Sequence, residues 1–475
     1  MAKYRKYIRK KIKHSGHAEV GNYLSSEFGV THGILLGACG LSLLFLLLLL
    51  ITTLSSPYER FYFDGRPITY IFFVLMFLLI GLIIAIALIH VFNRDAMPTY
   101  DEFKRAQNKL AYLKKKSRFP ELLDFDAKTE KDFVDIGTED ITLLDFCNEF
   151  RDYIADHLRL YYTEEDIRKF IASLGISKLM ILQGMSGTGK TSIAVAFGRF
   201  INNFSTVVPV QPMWKERSDL LGYYNEFTGK FNETTILKKL YEASFSNKIY
   251  IVVLDEMNIA RVEYYFSEFL SLLELPATSE RKLVVASSGS EGDPRKMSHG
   301  KIVLPDNVWF LGTANNDDST FAISDKVYDR AMVMNLNTKA EPYRSTRHTR
   351  NINMSSTKFN ELIRNAQNTY FISAQALQNL KALDEYLIST FHITFGNRIM
   401  MQLRHYVPVF IACGGTEYEA LDDMIAKKIL RKLEAQNPIY VKNKAPELIA
   451  KFDELFGQDV MKDCISYINH LSNNI

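Results

Sequence analysis

The stretch Leu179-Met180-Ile181-Leu182-Gln183-Gly184-Met185-Ser186-Gly187-Thr188-Gly189-Lys190-Thr191-Ser192 decides the fold. Four apolar residues read as a buried strand. They run into a glycine-rich turn, and residues 192–200 continue with helical spacing. Positions 184–191 fit the pattern GxxxxGK[ST] in full, in the strand-to-helix context that the pattern requires. Glycines let backbone N–H groups turn inward around a phosphate, and the helix N-terminus adds partial positive charge. Lys190 is then placed for the β- and γ-phosphate oxygens of a nucleoside triphosphate, and the Thr191 hydroxyl for Mg²⁺. The expected nucleotide-binding residues are therefore Gly184, Met185, Ser186, Gly187, Thr188, Gly189, Lys190, Thr191 and Ser192.

Outward from this loop, apolar runs at 179–182, 206–210, 249–254, 308–312 and 331–334 alternate with helical patterns. That order predicts an α/β fold with a five-stranded parallel sheet covered on both faces. Runs at 282–286 and 301–304 read as a hairpin inserted before the fourth strand. The run 249–254 ends in Asp255-Glu256, a carboxylate pair at a strand's C-terminal end. Asp255 suits Mg²⁺ binding, and Glu256 suits orienting and deprotonating an attacking water. The fourth strand ends in Gly312-Thr313-Ala314-Asn315-Asn316-Asp317-Asp318, where Asn315, in preference to Asn316, is placed to hold that water. Arg330 ends a short helix, from which it would reach a neighbouring subunit's γ-phosphate. Arg398, in Phe395-Gly396-Asn397-Arg398, has two readings: a bridge from a helical lid to the nucleotide, or a salt bridge at a helix start.

The remaining segments complete the organisation. Periodic apolar residues over 141–173 predict one or two amphipathic helices, and residues from 359 onward read as a smaller helical domain. The polar, basic stretch 341–357 between the two folded parts reads as a flexible connection. Aromatic residues at 214–231 (Trp214, Tyr223, Tyr224, Phe227, Phe231) either grip a threaded polymer or pack an insertion against the core.

Residues 33–54 and 68–92 carry no charge apart from the titratable His90. At about 1.5 Å per residue each crosses a hydrocarbon core of ~30 Å. They predict a transmembrane hairpin, with positive flanks (Lys3, Arg5, Lys6 before it; Lys114, Lys115, Lys116 after) held on the cytoplasmic side. The expected localisation is the inner, cytoplasmic membrane, with both termini inside and lipid as a partner. The basic N-terminus also reads as a nucleic-acid arm, but topology and anionic lipid explain it more economically. Globally, 57 basic against 54 acidic residues give +3, too balanced to indicate nucleic acid. Four separated cysteines (Cys39, Cys147, Cys413, Cys464) without CxxC fit a reducing compartment and argue against zinc.

The order of P-loop, Asp-Glu strand end, polar fourth-strand end, arginine and helical lid resembles an AAA+ ATPase. Leu254-Asp255-Glu256-Met257-Asn258-Ile259-Ala260-Arg261, followed by Tyr264-Tyr265-Phe266-Ser267-Glu268-Phe269-Leu270, is similar to the McrB-like branch related to dynein-like and MoxR-like groups. The resemblance covers about 141–435. It implies Lys190 and Thr191 as P-loop residues, Asp255 and Glu256 as the Mg²⁺/water pair, Asn315 as sensor 1, Arg330 as a trans finger and Arg398 as sensor 2. Ala314 and Ser319 stand where that branch has Met and Arg, so ATP is expected and GTP is the alternative. Where the restriction proteins carry a recognition domain before the motor, the expectation here is the membrane hairpin.

The expected layout is a basic N-terminus (1–32), transmembrane hairpin (33–92), stalk (93–140), AAA+ α/β domain (141–340) and helical lid with C-terminal helices (341–475). The expected activity is ATP hydrolysis by a homo-oligomeric ring, a hexamer by resemblance. It would drive remodelling or signalling in prokaryotic defence, with room for a separately encoded effector. Two alternatives stand: a nucleotide-gated membrane scaffold, and a GTP-driven motor serving a separate nuclease.

Overall fold

The structure is a computed structural model that describes residues 76, 78–82, 117–129, 133–290, 292–315, 320–337, 340–345 and 349–473. Both expected spans lie outside the described residues, except for positions 76 and 78–82 in the second. Among the described residues no helix is long and apolar enough to cross a membrane. The expected N-terminus 1–32, most of the stalk, and Asn316, Asp318 and Ser319 also lie outside them. The chain divides into two compact units, Met1–Ser117 with Leu123–Glu130, and Arg118–Leu122 with Lys131–Ile475. The second unit carries all that follows.

It opens with α1 (Leu143–Leu158) and α2 (Glu164–Ile176). The Thr142 side chain caps α1, and Thr163 and Asp166 form a reciprocal capping box on α2. Such a cap satisfies N–H groups the helix itself leaves open. Then come β1 (Leu179–Gln183), α3 (Lys190–Phe200), β2 (Thr206–Pro209), α4 (Arg217–Leu221), β3 (Gly222–Asn225), β4 (Lys230–Glu233) and α5 (Thr235–Ala243). Next are β5 (Tyr250–Asp255), α6 (Val262–Tyr265), α7 (Ser267–Leu272), β6 (Lys282–Val284), β7 (Met297–Ser298), β8 (Lys301–Val303) and β9 (Val308–Ala314). The chain continues through α8 (Asp325–Tyr328), β10 (Met332–Asn335), α9 (Ser356–Thr369), α10 (Ala374–Phe391) and α11 (Gly396–Ala412). It closes with α12 (Glu417–Lys428), α13 (Pro438–Phe456) and α14 (Lys462–Asn473).

The expected five strands form one sheet in the order β10-β1-β9-β5-β2, and every pairing in it is parallel. β1, β5 and β9 are buried almost throughout, which is why their sequences are continuous apolar runs rather than alternating ones. Register fixes the two edges. Leu182 lies opposite Thr313 and Leu254 opposite Gly312, so β1, β9 and β5 end level at their C-termini. Met180 lies opposite Met332, so Arg330 falls on the other, N-terminal edge. The inserted segment forms a three-stranded sheet, β6-β8-β7, one strand more than the expected hairpin.

The expectation of a flexible connection over 341–357 is corrected in its described residues. Ile352 and Met354 are buried, the Ile352 amide donates to Phe200 O at 2.8 Å, and the Ser356 amide donates to Asn247 O at 2.7 Å. Two apolar residues spaced by two, set among polar neighbours, are the signal of an extended segment lying on the core. One hydrophobic cluster, moreover, runs from Leu143 through Phe197, Trp309 and Phe359 to Ile468. The helical part therefore packs continuously with the α/β part.

A buried charge network ties the last helices down. Lys169 on α2 pairs with Asp463 at 2.8 Å and Asp423 at 3.4 Å, and Asp423 also meets Lys427 and accepts from Tyr406 Oη at 2.9 Å. Burial alone would lower the Lys169 ammonium's pKa, but Asp423, Asp463 and Glu165 outweigh it and hold it above the ordinary lysine range.

Candidate functional site

The C-terminal edge of the sheet gathers the expected nucleotide residues. Gly184, Gly187 and Gly189 all have φ in the left-handed region, at 146°, 80° and 91°. At Gly189 a side chain would also collide with the Tyr162 hydroxyl, 2.6 Å from the position of its Cβ. That hydroxyl donates to Gly189 O at 2.8 Å, so the turn between α1 and α2 braces the loop where α3 begins. Burial pushes the Tyr162 phenol well above its ordinary pKa, so it stays a donor. The Lys190 ammonium, largely buried, donates to Gly184 O at 2.9 Å and Met185 O at 2.7 Å, within the loop it would serve.

From β5 and β9 comes a short hydrogen-bonded chain. Asp255 Oδ1 accepts from the Thr191 hydroxyl at 2.7 Å and from the Thr313 hydroxyl at 2.8 Å. Thr313 Oγ1 in turn accepts the Glu256 amide at 2.8 Å. Glu256 itself sits at φ 53°, a left-handed conformation that costs a non-glycine residue about 1–2 kcal/mol. Strain of that kind persists where the surroundings over-determine it, and here the Thr313 bond is part of what fixes it. A hydroxyl and a carboxylate already in contact fit the hard-oxygen donor set of Mg²⁺, whose other positions go to phosphate oxygens and water.

Asn315 directly follows β9, between the ends of β1 and β5, as expected. Its carbonyl accepts from the Asn258 amide at 2.9 Å and from the Thr320 hydroxyl at 3.2 Å. Asn258 is buried and also donates to Thr320 Oγ1 at 3.0 Å, so the turn after Glu256 and the loop after β9 are held together.

The two expected arginines are elsewhere. Arg330 donates to Glu274 Oε2 at 2.9 Å and to Lys326 O at 2.9 Å. Arg398 pairs with the other oxygen of the same carboxylate, Glu274 Oε1, at 2.5 Å. Both line a cavity of about 570 Å³ with Ser177, Lys178 and Leu179, at the start of β1. At ~3.3 Å per residue, roughly 15 Å of strand separates this edge from the P-loop. The structure thus does not bring Arg398 to its own P-loop, and the salt-bridge reading describes its contact. The short segment carrying Arg330 is pinned by α11 and α12, since Gln402 Nε2 donates to Asp329 O at 3.1 Å and Lys428 Nζ to Tyr328 O at 2.6 Å. Lys428 also bonds Ala331 O, and burial pushes its pKa down to about 7.

The aromatic segment 214–231 is packed in part and exposed in part. Phe231 is buried against Phe119, with ring centroids 4.9 Å apart, and Trp214 packs edge-on to Tyr265 at 5.5 Å. Tyr223 and Tyr224 on β3, and Phe227 in the β3–β4 turn, are exposed. Sequence reasoning passed over Thr313, Tyr162, Asn258 as a loop tie, and Glu274. Thr313 had a signal: it lies two residues before Asn315, the spacing of one strand face, at the end of a buried run.

Comparison with known proteins finds similarity over the stretch that carries this edge. Residues 179–331 match the family model described as AAA domain (dynein-related subfamily). Over 173 residues the chain is 25% identical to the type IV methyl-directed restriction enzyme EcoKMcrB subunit of Escherichia coli (strain K12). That alignment covers 35% of this chain and 36% of the relative, so the chain spans about a third of the length of the curated protein it matches. A solved structure from Cytophaga hutchinsonii, provisionally designated an ATPase, aligns at 14% identity and a TM-score of 0.41, covering 74% of this chain and 98% of the other. At that score the structural likeness carries no argument here. Residues 179–331, from the P-loop strand to just past Arg330, are thus similar as one block to AAA domains of the dynein-related type, and a third of the chain is similar to the McrB subunit.

Proposed function

We propose that this chain is a membrane-anchored AAA+ ATPase that assembles as a cytoplasmic ring and couples ATP hydrolysis to remodelling or signalling at the membrane. A role in prokaryotic defence is part of the reading. The observation that carries it is the linked set Thr191–Asp255–Thr313–Glu256 beside the P-loop. A site that only bound nucleotide would have no use for a glutamate held in a strained conformation at that point. In the proposed reaction Lys190 and the loop amides hold the β- and γ-phosphates, and Asn315 and Glu256 position a water. The water oxygen bonds to the γ-phosphorus, the bond to the ADP oxygen breaks, and the proton passes to the Glu256 carboxylate. Thr191 and Asp255 would hold Mg²⁺, which supplies charge neutralisation at the phosphate oxygens when bound. Arg330 serves the neighbouring subunit's nucleotide, a reading supported by its position on the edge opposite its own P-loop. The anchor rests on the apolar runs 33–54 and 68–92.

Glu256→Gln should lower steady phosphate release about 10³-fold while nucleotide affinity stays within a few-fold. Unchanged release from the detergent-solubilised protein would overturn the assignment of the base. One observation favours a second reading, a GTP-driven motor serving a separate nuclease: the similarity to a restriction-enzyme subunit. Competition between ATP and GTP for the purified protein decides between them.

A further inference from the structure

We propose that Glu274 is a positioning residue that holds Arg330 and Arg398 side by side as one clamp for the terminal phosphate of a nucleotide bound by a second copy of this chain. The inference rests on the trans reading of Arg330 given above. The geometry is specific: one carboxylate oxygen takes Arg330 at 2.9 Å, and the other takes Arg398. Two guanidiniums brought together from α8–β10 and α11 repel unless an anion lies between them, and Glu274 supplies it. Nearby, Arg281 is bound to Asp306 at 2.9 Å, and Lys178 faces Asp306 at 4.0 Å. Glu274 is the only acid among the described residues lining this cavity, against Lys178, Arg281, Arg330, Arg398 and His405.

Two further features suit transfer of the arginines to a phosphate. Glu274 and Arg398 are both partly solvent-exposed, and exposed ion pairs are weak, so a more highly charged terminal phosphate displaces the carboxylate without a large penalty. Arg330 Nε is buried with no hydrogen-bond partner among the described residues, leaving a donor unused by Glu274. The backbone on either side of Arg330 is held independently by Lys428 and Gln402, and the Arg330 guanidinium keeps a second bond, to Lys326 O. Removing the carboxylate therefore releases Arg398 and one arm of the Arg330 guanidinium without unfolding the segment.

The test uses full-length chains in mixed assemblies. A Glu256→Gln parent donates arginines but has inactive sites of its own; an Arg330→Ala parent has a complete P-loop edge but donates no finger. ATP turnover recovered on mixing establishes the trans reading, and no recovery ends that reading and this inference with it. With recovery established, Glu274→Gln is added to the arginine-donating parent. Turnover should fall about tenfold with KM for ATP unchanged, the size expected when a charged group is misplaced by an ångström or less. Glu274→Asp at the same place should return part of the rate. The same Gln substitution on the Arg330→Ala parent, whose arginine edge faces no productive site, should change the rate less than twofold. An equal loss on either parent, no loss on the donor, or a gain on the donor would each overturn the proposal.

Discussion

The two edges of the central sheet are built on opposite plans. At the C-terminal edge, the lysine, hydroxyls and carboxylate answer one another within the chain: Lys190 to loop carbonyls, Thr191 and Thr313 to Asp255, Glu256 to Thr313. At the N-terminal edge, Lys178, Arg281, Arg330, Arg398 and His405 crowd a cavity in which Glu274 is the one acid among the described residues. The first edge pairs its polar groups within one copy, and the second has an excess of one sign. The proposed ring would draw on that asymmetry, since a head-to-tail contact joins two different surfaces.

The strongest way to break this comparison is to remove the cation from each edge in turn. Lys190→Ala should weaken nucleotide binding by about 30- to 1000-fold, the range for losing a charge-assisted phosphate contact. Arg330→Ala should leave binding by dilute, unassembled protein within about twofold and lower assembled turnover on the order of 10³-fold. Equal losses of binding in the two variants, measured by nucleotide titration, would erase the distinction. A finer probe is Thr313→Val, which removes both the donor to Asp255 and the acceptor of the Glu256 amide. Without that acceptor the left-handed conformation of Glu256 loses part of what fixes it, so kcat should drop about tenfold with affinity nearly unchanged.

A different kind of effect, on stability and not on turnover, is the pH dependence that two buried lysines bring. Burial pushes Lys178 and Lys428 down to about 7, against roughly 10.4 in an unfolded chain. Between those values the unfolded state carries more protons than the folded one, so stability rises with pH through that window. The slope approaches ~1.4 kcal/mol per pH unit for each group. A neutral Lys428 amine still has two N–H donors, enough for both Tyr328 O and Ala331 O. Denaturant melts at pH 7, 8 and 9 should show the rise, and Lys178→Met with Lys428→Met should flatten it.

The same two edges differ in how far the sequence revealed them. The P-loop, the Asp255-Glu256 strand end and the order of apolar runs are local patterns, and backbone geometry makes their meaning nearly independent of the rest of the chain. The site chemistry assigned to Glu256 and Asn315 follows from that placement and awaits the experiments above. Glu274 carries no local signal: it lies in the turn after α7 and gains its role only when α8 and α11 converge on it. Arg398 was ambiguous for the same reason, because a helix-start arginine says nothing about which strand edge its helix crosses. The segment 341–357 was misjudged because its polar and basic residues outnumber Ile352 and Met354, the two that anchor it.

The two bonds from Lys190 to its own loop have a consequence for ligand choice. An incoming anion must first release that ammonium from Gly184 O and Met185 O, each a charge-assisted bond of about 1.5–3 kcal/mol. A single inorganic phosphate offers few contacts to compensate for the release. A triphosphate engages the ammonium, the loop amides and the start of α3 together. The loop therefore sets an entry threshold by ligand length, and free phosphate, the product of its own proposed reaction, should be a poor inhibitor.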